Sequence, residues 1–371
     1  RVLPRLLDRF EHLGFWKRLL MVGLLGQMLL LIPALVVSQN PGVTVGDEPY
    51  YLVVGQSLAR DGDLNIFNQH YRGTFRSIVT HKELPPHGTF GRGEKRLFST
   101  HLPGMPLTLV PFLKKDWRRP QDLHRAVRIW LSFFGALLGV LLWYLGERLL
   151  GSPRQALLLT LFGLATCPLF MMSVHLFPEI QATVLVLLAL ALLAFRPTGP
   201  GTFVAGLLLG GVVFWGVKYL VLAGLYGLGF LLFLLIRGQR RRGLFLALGA
   251  LGPLALFLFY LHDAYGSFSI NAVYFGVQSG PRARALAALV HSIPHSLRLK
   301  TLAAYFLDQR DGLWPYNLFL LLALPGFLRT AVRTRGRDPL VLLSLPPLAY
   351  LLYHAATTFR AGDCPQGRFL V

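Results

Sequence analysis

The chain is short of what a soluble enzyme displays on its surface. Only 15% of its 371 residues are charged while 54% are hydrophobic, and its mean hydropathy is clearly positive, which excludes an ordinary soluble globular domain. Acids are scarcest, at 17 Asp and Glu against 37 Lys and Arg, for a net charge of +20. Such a balance points to nucleic acid only when the basic residues gather on one soluble face. Here they stand in short clusters between apolar runs. Two cysteines, Cys167 and Cys364, have neither the number nor the spacing of a disulfide framework or a cysteine-based zinc site. No G-x-G-x-x-G after a strand and no Walker pattern is present, which argues against an ATP-driven pump. The first apolar run is not expected to be a cleaved signal peptide, because it is long enough to span and no small-residue cleavage chemistry follows it. The chain opens on Arg1 and stops at Val371, and one or both ends, the C-terminal part above all, are expected to be missing.

What is present is a series of uncharged runs long enough to cross a hydrocarbon core of about 30 Å. Nine are counted, roughly 19–38, 129–146, 156–174, 180–195, 202–217, 219–236, 243–261, 313–328 and 340–358. In lipid each must be a helix, since its backbone polar groups have to pair within the segment. The expectation is an all-α polytopic membrane protein, a single domain over residues 1–371. Arg1, Arg5, Arg9, Lys17 and Arg18 precede the first run, and the positive-inside bias places that end in the cytoplasm. Alternation then puts RLLGSPR (148–154), FRPTGPG (195–201), IRGQRRRG (236–243) and FLRTAVRTRGRD (327–338) inside, and every one is basic. The long connection 39–128 falls outside, where a loop of that length crosses whatever its charge.

Most of the acids next to a span lie on the outer side. GDEPYYLVVGQSLARDGDL (46–64) holds four of them directly after the first run. Within it Tyr51, Leu52, Val54 and Leu58 fall near helical spacing, which predicts a short amphipathic juxtamembrane helix over 49–60. Pro49 suits its first position, with Asp47 or Glu48 at the cap. Two readings stand for these acids: capping residues favoured by the helix dipole, or carboxylates held for chemistry. Glu179, after Pro178 at the start of the fourth run with His175 four residues before it, carries the same pair of readings. Ionisable groups at membrane depth are costly and mark function.

The order of these pieces resembles the GT-C class of membrane glycosyltransferases, the group that holds the protein O-mannosyltransferases and the aminoarabinose transferase of lipid A. GDEPYYLVVGQSLARDGDLN is similar to the acidic motif and juxtamembrane helix of bacterial members. GEKRLFSTHLPGMPLTLVPF (93–112) resembles their "GR-x-YS-x-H-x-PG-x-PL" segment, HLFPEI (175–180) their "PE" motif, and FLDQRDGLWPY (306–316) their "FDQ-x-x-GL-x-x-Y" motif. GDCPQGRFLV, at the end, resembles a segment that in the family runs on into another span. Asp311 departs from the pattern, standing where an aromatic is common.

The resemblance implies transfer of a sugar, with inversion, from a polyprenyl-phosphate donor to a lipid, glycan or protein acceptor. The site would face the exterior of a bacterial cytoplasmic membrane, among membrane lipids and without nucleic acid. Asp47 is then the expected base, with Glu48 or Glu179 stabilising positive charge at the anomeric centre. His175, Lys218, Tyr219 and His101 are expected at the substrates, with Asp308, Gln309, Arg360 and Arg368. Lys218, Arg360 and Arg368 would steady the departing phosphate or else snorkel to the interface, and Tyr219 and Tyr316 also suit an aromatic belt. The cofactor is left open: a divalent cation is compatible, with Asp47, His175 and Glu179 as candidate ligands. His70, His81, His87 and His101 line the outer loop, where scattered solvated histidines are the plainer account. The rival reading is a transporter or lipid flippase, but no internal repeat is visible between the halves.

Overall fold

The structure, a computed structural model, describes residues 2–39, 44, 46–79, 83–166, 169–195, 198–270, 272–275, 303, 319–335 and 338–357. It is mostly helical. In chain order come α1 (Val2–Glu11), α2 (Phe15–Ser38), α3 (Glu48–Arg60), α4 (Phe67–Tyr71), a 3-10 turn (Thr74–Ser77), β1 (Gly88–Phe90), β2 (Leu97–Ser99) and α5 (Gly104–Leu113). Then follow α6 (Pro120–Leu150), α7 (Pro153–Ala165), α8 (Leu169–Met172), α9 (Glu179–Phe195), α10 (Gly199–Gly211) and a 3-10 turn (Val212–Trp215). The series ends with α11 (Tyr219–Ile236), α12 (Arg240–Tyr265), α13 (Ala272–Phe275), α14 (Phe319–Arg333) and α15 (Pro339–Thr357).

Each of the nine apolar runs contains helix, but among the described residues four helices, α2, α6, α11 and α12, are long and apolar enough to cross a membrane, fewer than the nine spans expected. Along α2, Leu20, Leu24, Met28 and Ile32 repeat every fourth residue and are all more than half exposed. Water would not tolerate such a stripe on a monomer, whereas lipid tails are its natural solvent. A helix does form where 49–60 was expected, α3, longer by one residue at its start. It is not a surface helix with one polar face: Gln56 and Ser57 are buried along with Leu52, Val53 and Val54, their side chains hydrogen-bonded to the Thr74 carbonyl and to Asp63.

The chain forms two compact units. The first comprises Arg1–Ala34, Ile129–His175 and Pro294–Val371. Its core is Leu7, Phe10, Val22, Trp143, Ala156 and Leu157, and its polar ties are Arg18 to Glu147 at 2.8 Å and Gln27 to Ser132 at 2.8 Å. Gly135 lets α6 approach Ser173 so closely that an added Cβ would lie 2.6 Å from its side chain. Small residues are what allow helices to pack in lipid, where burial alone gives no drive.

The second unit comprises Leu35–Arg128 and Leu176–Ile293. Within it α10 lies against α12 along a seam of Gly206, Gly210 and Gly249, where a Cβ on Gly206 would sit 2.3 Å from the Leu246 carbonyl oxygen. A two-stranded antiparallel hairpin, β1 with β2, packs on the C-terminal end of α12. Phe98 and Leu102 pack with Phe257, Leu261, Tyr265 and Val273. The hairpin is pinned by Arg92 N–H donating to the Ala264 carbonyl at 2.9 Å and by Arg96 paired with Asp263 at 2.8 Å.

Candidate functional site

All the polar features of interest that can be read together belong to the second unit, and they begin at the start of α3. Asp47 occupies the N-cap position, but its side chain makes no capping hydrogen bond. Its backbone carbonyl accepts from Tyr50 N–H at 3.0 Å instead, which is all that the helix start asks of it. The carboxylate is turned toward His101, with Oδ1 3.9 Å from Nε2. Of the two readings that the sequence left for this acid, the side-chain cap is thereby removed.

Glu48, one residue on, is placed quite differently. Its side chain is 0% exposed and that of Arg128 2%, and the two meet as a two-pronged pair, Nη1 to Oε1 and Nη2 to Oε2, each at 3.2 Å. Oε1 also accepts the Leu176 N–H at 2.8 Å. A buried carboxylate survives only when its charge and lone pairs are met in this way. Glu48 therefore anchors α3 to the start of α6, and the anchor holds Asp47 in place.

Glu179 starts α9, is likewise fully buried, and accepts from Lys218 Nζ at 2.7 Å. The Lys218 ammonium also lies 5.0 Å from the centroid of the Tyr219 ring. Gln181, two residues on, donates to Thr108 Oγ1 at 3.2 Å and accepts from Trp215 Nε1 at 2.8 Å. These bonds tie α9 to α5 and to the turn that presents Lys218.

Two histidines complete the surroundings of Asp47. His87 Nδ1 and His101 Nε2 are 3.0 Å apart, and Tyr50 stacks on His101 with ring centroids 5.6 Å apart. Burial, and next the negative charge of Asp47, push the Tyr50 phenol above its ordinary value, so it stays protonated at neutral pH. His70 stands apart, its Nδ1 3.2 Å from the Leu84 carbonyl; burial chiefly pushes its pKa down, against that hydrogen bond. A separate cavity of about 560 Å³ is lined by Ser38, Gln39, Arg119, Gln121, Asp122 and Arg125.

Among the described residues, the group of three or more potential metal ligands within reach of one ion is Asp47, His87 and His101. His175 and Glu179 are not in it; His175 sits half-buried in a bend of the first unit. Cys167, His81, Asp308, Gln309, Tyr316, Arg360, Cys364 and Arg368 lie outside the described residues. Sequence reasoning missed Arg128, a charged residue at the very edge of the second apolar run, whose position was itself the signal. It also set His87 aside as a solvated loop histidine, because its approach to His101 depends on a hairpin too short to announce itself.

The chain matches no protein-family model, no curated protein and no solved structure.

Proposed function

We propose that the chain is an inverting glycosyltransferase of GT-C-like organisation, its nine apolar helices crossing a cytoplasmic membrane and its acids facing the exterior. The observation that carries this reading is Asp47: a half-buried carboxylate that makes no capping hydrogen bond, faces His101 and stands directly beside a buried ion pair that fixes its helix. A cap needs no such foundation; a base does, since its geometry decides its efficiency.

In the reaction, an acceptor hydroxyl attacks the anomeric carbon of a sugar linked to a polyprenyl phosphate. Asp47 takes the hydroxyl proton as the new carbon–oxygen bond forms, and the bond to the phosphate oxygen breaks on the opposite face. The configuration inverts and the polyprenyl phosphate leaves with the electron pair. Lys218 is assigned to the phosphate and Glu179 to holding Lys218, so that the pair resembles a fixed dipole awaiting an anion. Asp308, Gln309, Arg360 and Arg368 are kept as substrate contacts on the resemblance alone.

The direct test is transfer of labelled sugar from polyprenyl-phosphate donors to lipid, glycan and protein acceptors by the purified chain. Label that instead crosses a liposome without changing its linkage favours the transporter. Two further outcomes are expected. A cysteine at position 90, on the exposed end of β1, should react with an impermeant thiol reagent in intact cells, and one at position 240 should not; the reverse pattern inverts the orientation. The double variant Lys218→Met, Glu179→Gln removes the charge pair without stranding either charge in the interior. It should bind polyprenyl phosphate about tenfold more weakly or worse, as loss of a charge-assisted contact dictates. Unchanged affinity would reduce the pair to a structural tie.

A further inference from the structure

His87 and His101 are 14 residues apart in sequence and are brought together by the register of one small hairpin. Gly88 pairs with Ser99, Thr89 with Phe98 and Phe90 with Leu97. The ladder runs one step further, Thr100 N–H donating to the His87 carbonyl at 3.2 Å, so His101 follows directly beside His87. Gly88 is required for this: a Cβ there would stand 2.4 Å from the Phe98 carbonyl oxygen. The His101 backbone is held in turn, its N–H donating to Ser99 Oγ at 3.0 Å.

The first turn of α3 supplies the third group. One ligand atom from each of Asp47, His87 and His101 lies within 4.8 Å of the others. The two resolved separations are 3.0 Å, His87 Nδ1 to His101 Nε2, and 3.9 Å, His101 Nε2 to Asp47 Oδ1. They bracket the separation of roughly 3.3 Å that bonds of zinc length impose around a tetrahedron. The rings are also held: Tyr50 lies against both histidines, at 5.0 and 5.6 Å between centroids, and Tyr51 against His101 at 4.7 Å. Side chains clamped at such spacing have already lost the entropy that binding an ion would demand.

We propose that Asp47, His87 and His101 form a binding site for a divalent transition ion of the zinc class, with the remaining position left to water or a substrate oxygen. Two imidazoles and one carboxylate are the wrong donors for magnesium or calcium, which take oxygen alone, and suit zinc and its neighbours. The inference concerns binding and does not rest on the transferase reading. Where both hold, the ion lowers the pKa of a hydroxyl bound to it, easing removal of the same proton assigned to Asp47.

The experiment uses the full chain in detergent, stripped with a chelator and titrated with Co²⁺, whose visible bands report coordination by nitrogen and oxygen in a low-symmetry site. One equivalent should bind and be displaced by Zn²⁺. His87→Ala and His101→Ala should each weaken binding about tenfold or more, since even outer partners of a metal site cost that much, while His12→Ala, on the exposed part of the first unit, should leave it unchanged. The proposal is overturned if the stripped parent develops no visible bands, or if the double variant His87→Ala, His101→Ala binds like the parent. In that case the two rings are a hydrogen-bonded pair and nothing more. Failure here leaves the transferase reading standing, because absorption by the His87→Ala protein judges the site and activity of an Asp47 variant judges the transfer.

Discussion

Asp47→Asn is expected to lower sugar transfer by about 100-fold or more, the range over which a positioned base contributes, while the melting temperature barely moves. The side chain makes no capping hydrogen bond, so neither Asn nor Ala should show the loss of about 1 kcal/mol that removing a true cap entails. That combination separates a base from a structural acid. His87→Ala retains the Asp47 carboxylate and is the companion measurement: if it transfers normally while Asp47→Asn does not, the carboxylate acts without an ion. Parental activity in purified Asp47→Asn would sink the assignment of the base and move the transporter reading ahead.

The second large effect is on stability. Arg128→Met removes the cation that faces Glu48 where both side chains are almost wholly buried, and should destabilise the chain by about 3–5 kcal/mol, because the carboxylate keeps its charge in the interior without the guanidinium that balances it. Adding Glu48→Gln should return much of that loss, since replacing both members of a buried pair is far less damaging than removing one. The amide oxygen introduced by Glu48→Gln would still accept the Leu176 N–H that Glu48 now takes at 2.8 Å. Unfolding in denaturant, followed for the parent, the two single variants and the double, gives the coupling directly. Were Arg128→Met to unfold within about 1 kcal/mol of the parent, the pair would have to be solvated as exposed pairs are, and the account of how α3 is anchored would fail with it. Activity in the double variant is informative as well, because it asks whether a neutral anchor still holds Asp47 in place.

Much of the helical framework was legible in advance. Long uncharged apolar runs favour helix, and every one of the nine contains helix; the spacing of Tyr51, Leu52, Val54 and Leu58 located α3 to within a residue, though not the burial of its polar side, Gln56 and Ser57. Length alone divided them less cleanly. The run over 156–174 is divided between α7, which ends at Ala165, and α8, which starts at Leu169. The short α9 owes its start to Pro178 and Glu179, a helix N-terminus that the sequence did announce.

Composition and periodicity by themselves determined that this protein is helical, that its surfaces suit lipid, and that Asp47, Glu48, Glu179 and Lys218 are the charges to watch. Those conclusions follow from local rules: burial of backbone in an apolar medium and the expense of charge there. Which charge faces which was decided only by tertiary structure. Glu48 finds Arg128 across 80 residues and Glu179 finds Lys218 across 39, and neither separation is a helical or strand period that a sequence pattern could reveal. The same holds for the histidines beside Asp47. Their meeting depends on the register of a hairpin of two short strands and on the clearance that Gly88 gives its partner strand, and a close approach in space leaves no trace in spacing along the chain.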